Sequence, residues 1–367
     1  MELHPGKLGN MNFEKAFKNK KVFVTGHTGF KGSWLLAWLH LLGAEIKGYS
    51  LEPNNSFDLY QLINGDKLCN SFISDIRNKE KVKQEILSFQ PDFVFHLAAQ
   101  PLVIASYNNP VYTFEVNTIG TANVLDALRF LDKPCIAVMI TTDKVYHNYE
   151  TGQAYKEEDR FGGYDPYSAS KGAAELVIDS YKQSFFNPTN YLQHKKSISV
   201  ARAGNVIGGG DWSQNRIVPD IVRALVSEQV IQLRNPTAVR PWQHVLEPLR
   251  GYLTLAVKQT EEPKKFADAF NFGPNLSDNL TVEQIVKNAI KIWGCGTYDI
   301  KIVNNFIHEA GLLQLDITKA KNQLEWEPKY CAEEAITKTI DWYKIYHLNK
   351  FEICDFTYNQ IRDFIQI

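Results

Sequence analysis

Hydrophobic positions in the first half of the chain come in short blocks whose spacing switches between that of a strand and that of a helix. Val22, Phe23 and Val24 form a compact apolar run that stops at a glycine, the pattern of a buried parallel strand. Over residues 30–42, Trp34, Leu35, Trp38, Leu39 and Leu42 fall on one broad stripe that Gly43 ends, which predicts a helix. The same reading predicts strands at 45–50, 68–73 and 93–97 and a helix at 78–88. A long helix over about 110–130, a strand at 136–140, a helix at 166–184 and a strand at 198–201 follow. About seven strands alternating with helices imply an α/β fold. Its core is a doubly wound, parallel Rossmann-type sheet with ligands at the carboxyl ends of its strands.

Beyond Arg202 the rhythm changes. Residues 204–210 are rich in glycine, 211–215 are polar, and helix-like pieces follow without regular strands between them. A smaller, mostly helical C-terminal substrate lobe is therefore expected. Residues 1–10 are a loose leader, and 11–204 are the dinucleotide-binding domain, joined by returning segments at about 240–275. Residues 205–239 and 276–367 are the second lobe. Within these, helices are predicted at 245–258, 281–293 and 332–347, and an edge strand at 269–272.

Composition narrows the partners. Charged residues make up 22% and the formal net charge is -1, so no global field draws in nucleic acid, and a phosphate must be caught locally. No apolar run approaches the roughly 20 residues that cross a bilayer, and the first twenty positions hold no signal-peptide core, so a cytoplasmic location is expected. Cys69, Cys135, Cys295, Cys331 and Cys354 lie far apart, which argues for reduced thiols. The nine histidines show no ligand spacing, and no metal is assigned.

Between the first strand and first helix lies Gly26, His27, Thr28, Gly29, Phe30, Lys31, Gly32, a G-x-x-G-x-x-G loop. Its glycines allow a tight turn, close approach of backbone amides to a pyrophosphate, and close helix packing, with the helix amino terminus favouring the anion. The acidic residue that usually follows the second strand and binds a ribose is missing, because that strand ends at Ser50 and Leu51. Asp75 after the third strand is placed to meet an adenine or to cap a helix.

Tyr167 and Lys171 stand at i and i+4 on one helical face. A phenol, normally near pKa 10, becomes a usable base where an ammonium and a nicotinium ring favour the phenolate. Thr142, at the tip of the preceding strand, is placed to hold a substrate hydroxyl. Asp143 beside it is the more telling residue, since a simple dehydrogenase needs no further general acid, whereas loss of water does.

Four stretches together resemble the CDP-glucose 4,6-dehydratases, extended short-chain dehydrogenase/reductases. They are Thr142 to Lys144, Asp165 to Lys171, Arg202 to Trp212 and Arg240 to Leu249. The glycine loop and the acid-free strand end are similar too, and the likeness covers nearly the whole chain after the leader. The resemblance implies NAD as cofactor and a closed redox cycle in deoxysugar biosynthesis. Tyr167 and NAD oxidise the sugar 4-hydroxyl, water leaves across the 5,6-positions with Asp143 as acid, and hydride returns to the 6-carbon. It also implies a homodimer through a four-helix interface formed by the helices at 110–130 and 166–184, with a tetramer as the larger alternative. The dTDP-glucose dehydratases carry a glutamate, their 5-position base, where this chain has Lys144; Lys144 would serve only when neutral.

The expected cofactor contacts are Gly26, Thr28, Gly29, Phe30, Lys31, Gly32, Ser50, Asp75, Ile76, Leu97, Ala98, Ala99, Asn117, Tyr167 and Lys171. On the substrate side Arg234 and Arg240 are candidates for the two phosphates, because a guanidinium fork grips such oxygens. Gln100, Asn205, Asp211, Arg216 and His244 complete that set. Alternatives that share the fold are a 4-epimerase, a dTDP-, GDP- or UDP-sugar dehydratase, and a catalytically silent dinucleotide sensor. Asp143 disfavours the epimerase, Lys144 the dTDP enzyme, and Thr142 with Tyr167 and Lys171 the sensor.

Overall fold

The computed structural model describes residues 13–233, 235–300 and 313–366. Chain order runs β1 (Lys21–Thr25), α1 (Phe30–Leu41), β2 (Glu45–Ser50), β3 (Asn70–Ile73), α2 (Lys79–Phe89) and β4 (Phe93–His96). It continues through α3 (Gly120–Leu128), β5 (Cys135–Ile140), α4 (Pro166–Ser184), β6 (Lys196–Ala203), α5 (Ile217–Val226) and α6 (Leu246–Glu261). The last elements are β7 (Ala269–Phe272), α7 (Val282–Trp293), α8 (Ala332–Leu348) and α9 (Ile353–Gln366).

Seven strands form one sheet in the order β7-β6-β5-β4-β1-β2-β3, every neighbouring pair parallel. This is the doubly wound Rossmann-type sheet that the alternation predicts. The crossovers reverse direction between β1 and β4, so the loops leaving those two strands part and open a crevice at their carboxyl ends. Strand periodicity divides the apolar residues between the two faces. Val22 and Val24 of β1 enter one core and Phe23 the other, and Phe93 and Phe95 of β4 oppose Val94 in the same way. The first core also takes in Trp326, Ile336, Ile340 and Trp342, so the later segments are packed on the sheet's own helices.

Several local details depart from the sequence reading. The predicted stripe on α1 is a helix buried all round from Gly32 to Leu39, because α9 covers its far side and Phe364 packs edge-on to Trp38. The helix expected over 110–130 is interrupted by one π-helical turn, Glu115–Ile119, that turns Asn117 inward. Strands do occur beyond Arg202. Three two-stranded pairs join Val206–Ile207 to Gln243–His244, Ile231–Leu233 to Tyr298–Ile300, and Val239–Arg240 to Leu280–Thr281. Two or three residues are too few to show a period. The leader at 1–10 lies outside the described residues, and no described helix is long and apolar enough to cross a membrane.

Glu247 at the start of α6 ties the C-terminal part to the sheet. One carboxylate oxygen accepts the backbone N–H groups of Lys329 and Tyr330 at 2.8 and 2.7 Å, while the other is buried without a partner. Burial pushes this carboxyl up to about 7, against the pull of those amides and of Arg250 and Lys329. A carboxyl raised in the folded state favours folding below its unfolded pKa near 4.5, and that advantage disappears as pH rises through about 7. Glu247→Gln keeps the accepting oxygen and removes the charge. It is expected to be more stable than the parent by about 3 kcal/mol at pH 8, with the difference vanishing near pH 4.5. Urea unfolding at both pH values checks this, and a pH-independent difference contradicts it.

Candidate active site

A cleft of about 1980 Å³ opens at the carboxyl ends of β1, β4 and β5 and is closed on its far side by segments from 204–242. Its floor begins with the glycine loop. Gly26 has φ +74°, and a Cβ there would lie 2.8 Å from the Ala98 nitrogen. A Cβ on Gly32 would lie 2.0 Å from the Gly26 carbonyl oxygen, so helix α1 abuts the turn directly. Gly29, the N-cap of α1, offers no side-chain hydrogen bond, which leaves first-turn amides facing the cleft. These residues fit the pyrophosphate of a dinucleotide. Thr25 clasps β1 to β4 beneath them, its hydroxyl meeting His96 Nδ1 at 2.8 Å and accepting the Ala98 N–H at 3.1 Å.

Where a ribose-binding acid is usual, Ser50 meets the Thr28 hydroxyl at 2.8 Å, and that hydroxyl also lies 2.9 Å from the Leu51 carbonyl. Asp75 lines the cleft but does not cap α2, a task Asn78 performs. Burial pushes the Asp75 carboxyl up, but hydrogen bonds from the Arg77 amide and guanidinium outweigh it and hold the group below its usual value. Phe30, Ile76, Leu97, Ala98 and Ala99 also line the cleft. Asn117 does not. It lies beneath the wall, accepting the Gln100 N–H at 2.8 Å and donating to Gln100 O and Ser170 Oγ.

The candidate reactive groups Thr142, Asp143 and Lys144 follow the end of β5, and Tyr167 and Lys171 stand on α4. Asp165 caps α4 by accepting the Ser168 N–H at 2.9 Å, with Pro166 in the first turn, and this starts the helix at the point that puts Tyr167 and Lys171 in the cleft. Thr142 donates to Asp143 Oδ1 at 2.8 Å, and Lys144 Nζ pairs with the same oxygen at 3.2 Å. Asp143 is 1% exposed, and its Oδ2 has no partner. A Cβ on Gly204 would come within 3.2 Å of that oxygen, so the glycine keeps the space before it clear. Asp143, Tyr167 and Lys171 thus share one cleft.

Burial raises the Tyr167 phenol to about 12, with the Thr142 hydroxyl and the Arg216 charge pulling down and Asp143 pushing up. Lys171 is pulled by burial to about 8, against the Glu175 carboxylate, and donates to the Ile140 carbonyl at 3.2 Å. The charge that lowers the phenol is that of Arg216, while Lys171 directs its proton to the Ile140 carbonyl. Lys31 reaches inward from the glycine loop to Tyr252, at 3.3 Å from its hydroxyl. Burial, then the charges of Arg216 and Lys171, bring it down to about 7.

On the opposite wall Asn205 Oδ1 accepts from Lys144 Nζ at 3.3 Å, and Asp211 pairs with Arg216 at 2.8 Å. Arg240 lines the cleft with them. Two expected substrate contacts do not. The Gln100 side chain is engaged with Thr113 and with the Leu102 N–H. His244 is fully buried between Trp34 and Tyr330, where burial lowers it to about 3, so it is a core residue. Arg234 lies outside the described residues. The sequence reading missed Trp212 on the cleft wall and the buried Glu175 and Arg202 behind it. The i,i+4 spacing of Glu175 from Lys171 was the available signal for the latter.

A family model described as GDP-mannose 4,6 dehydratase matches residues 23–339. The chain is 45% identical to the CDP-glucose 4,6-dehydratase of Salmonella typhimurium over 89% of its own length and 91% of that protein. It is 26% identical to the CDP-paratose 2-epimerase of Salmonella typhi over 88% and 98%. Among solved structures, the dTDP-glucose 4,6-dehydratase of Bacillus anthracis in complex with NAD superposes with a TM-score of 0.73 at 20% identity, covering 89% of this chain and 96% of that one.

The close approach at Gly32 gives a direct test. Gly32→Ala is expected to destabilise the protein by about 2 kcal/mol and to weaken dinucleotide binding at least about tenfold, since the Gly26 turn must shift. Denaturant unfolding and calorimetric titration measure the two effects, and unchanged affinity would refute the role given to this contact.

Proposed function

Because the chain belongs to the GDP-mannose 4,6 dehydratase family, a branch of the extended short-chain dehydrogenase/reductases, we propose that it is an NAD-dependent enzyme converting CDP-glucose to CDP-4-keto-6-deoxyglucose. The observation that carries this reading is the unpartnered oxygen of buried Asp143 in the same cleft as Tyr167, Thr142 and Lys171. Oxidation alone needs no carboxyl there; loss of water does. The choice of CDP-glucose follows from 45% identity across most of the Salmonella typhimurium relative.

When bound, NAD supplies the acceptor and donor of hydride and, oxidised, a positive ring beside the phenol. The loop from Gly26 to Gly32 holds its pyrophosphate on backbone amides. Thr142 orients the 4-hydroxyl and Tyr167 removes its proton. Asp143 gives a proton to the departing 6-oxygen, and Lys144 takes the 5-proton made acidic by the 4-ketone. The ion pair suits both tasks. Moving one proton from Lys144 Nζ to the Asp143 carboxylate turns the pair into an acid beside a base, and the elimination restores the charged pair. Asn205, Asp211 and Arg216 face the sugar diphosphate from the described residues of 205–239, part of the lobe assigned to the nucleotide sugar, and Arg240 joins them from the start of the returning segment.

The assay is incubation of the purified protein with NAD and CDP-, dTDP-, UDP- and GDP-sugars, read by the alkaline absorbance of a 4-keto product. CDP-glucose is expected to turn over fastest. Tyr167→Phe and Asp143→Asn should each lose about 100-fold or more in kcat, and Lys144→Ala should lose solvent-deuterium exchange at the 5-position. No 4-keto product from any CDP-sugar sinks the reading. Retained exchange in Lys144→Ala moves the base elsewhere.

The same reading includes a cytoplasmic homodimer acting on a small molecule. It is supported by the outward apolar residues Val111, Ile119 and Leu176, each more than half exposed on the helices expected to pair. Sedimentation should give the mass of two chains, and Leu176→Arg should give one. A monomeric parent protein contradicts the four-helix interface.

A further inference from the structure

Behind the catalytic residues lies a buried ionic network to which the reaction scheme assigns no task. Its centre is Glu175 on α4, paired with Arg202 on β6; both are 3% exposed. The guanidinium grips both carboxylate oxygens, Nε to Oε1 at 2.8 Å and Nη2 to Oε2 at 3.0 Å. Its remaining nitrogen donates to the Tyr146 hydroxyl at 2.7 Å and to the Glu157 carbonyl at 2.8 Å. Tyr146 in turn donates to Asn271 on β7 at 2.7 Å. The carboxylate is thus fixed from two neighbouring strands.

What Glu175 does with that fixed position is visible at β5. Thr141 donates its hydroxyl to Glu175 Oε1 at 2.6 Å. One turn earlier on the same helix, Lys171 donates to the carbonyl of Ile140. Two side chains of α4 therefore hold two consecutive residues at the end of β5, and the next two residues are Thr142 and Asp143. An apolar pair in place of Glu175 and Arg202 would fill the space without the desolvation cost of two buried charges. It would not grip a hydroxyl.

We propose that Glu175, locked by Arg202, is a positioning residue for the dehydration: it holds the strand tip that presents Thr142 and Asp143. The proposal rests on the dehydratase reading. Lys171 is faced by His96 from β4 and Lys31 from α1, each lowered mainly by burial and further by Lys171 itself. Asp143 and Lys144 beyond the strand tip are paired with each other. Glu175 is the group that opposes burial at Lys171.

The test uses the full-length protein with NAD and CDP-glucose, comparing Thr141→Val, Glu175→Gln and Glu175→Asp with the parent. Steady-state rates across pH and thermal unfolding are measured for each. Thr141→Val and Glu175→Gln should lose about 10- to 100-fold in kcat while KM stays within about threefold, the signature of misplaced groups rather than weakened binding. In Glu175→Gln the alkaline limb of kcat/KM should also move to lower pH by about one unit, because Lys171 loses its proton more readily without the anion. Glu175→Asp, which keeps the charge, should return that limb to the parent position, and Thr141→Val should leave it there. A purely structural role lowers the unfolding temperature and leaves kcat and the limb unmoved, and that result overturns the proposal. Should Glu175→Gln fail to fold, parental kcat in Thr141→Val is enough to overturn it. A parent protein without turnover on CDP-glucose refutes the dehydratase reading, and the proposal falls with it; an active parent with unaffected variants refutes the proposal alone.

Discussion

Asp143 is a buried carboxyl with one oxygen bonded to Thr142 and the other buried without a partner, and a polar atom in that position persists only if its surroundings are arranged to hold it. Lys144 sits on the bonded oxygen, Gly204 leaves the free one unobstructed, and the charges of Lys31 and Arg216 lie within reach of the same cleft. The strand tip that carries Asp143 is held by α4, and α4 starts where Asp165 caps it. The parallel sheet in turn places β5 beside β4 and β6, so that three strand ends converge on one crevice.

This dependence explains which parts of the molecule could be read in the sequence. Sheet and cofactor loop were legible because both follow from local rules. Val22 to Val24 can only be a buried strand, and Gly26, Gly29 and Gly32 are required where backbone meets backbone at under 3 Å or where a helix must begin without a side-chain cap. Tyr167 and Lys171 were legible for the same reason, since a helical repeat puts them on one face. Long-range packing was not legible. Nothing local in residues 30–42 says that α9 will bury the outer side of α1, so Trp38 read as one member of a single stripe. His244 has the residue type of a ligand contact, but its place between Trp34 and Tyr330 is decided by segments far away in the chain. Asn117 was expected at the cofactor and instead braces the wall beneath it, because one π-helical turn rotates it inward.

The charges in the cleft follow a logic that pattern reading missed. Spacing places an ammonium near a phenol, but not the direction of its donated hydrogen bond. Lys171 points its proton at the Ile140 carbonyl, and burial holds Tyr167 high, at about 12. Lys31 and Lys171 lie at about 7 and about 8, close to neutrality, so the proton occupancy of each depends on what else is in the cleft. An anion entering beside them raises both values, and a cation beside the phenol lowers Tyr167. The two lysines thus lie near their tipping points, whereas burial keeps the phenol protonated in the chain alone. Because each shifted group binds or releases protons as the ligands arrive, ligand affinity and proton uptake are coupled by linkage.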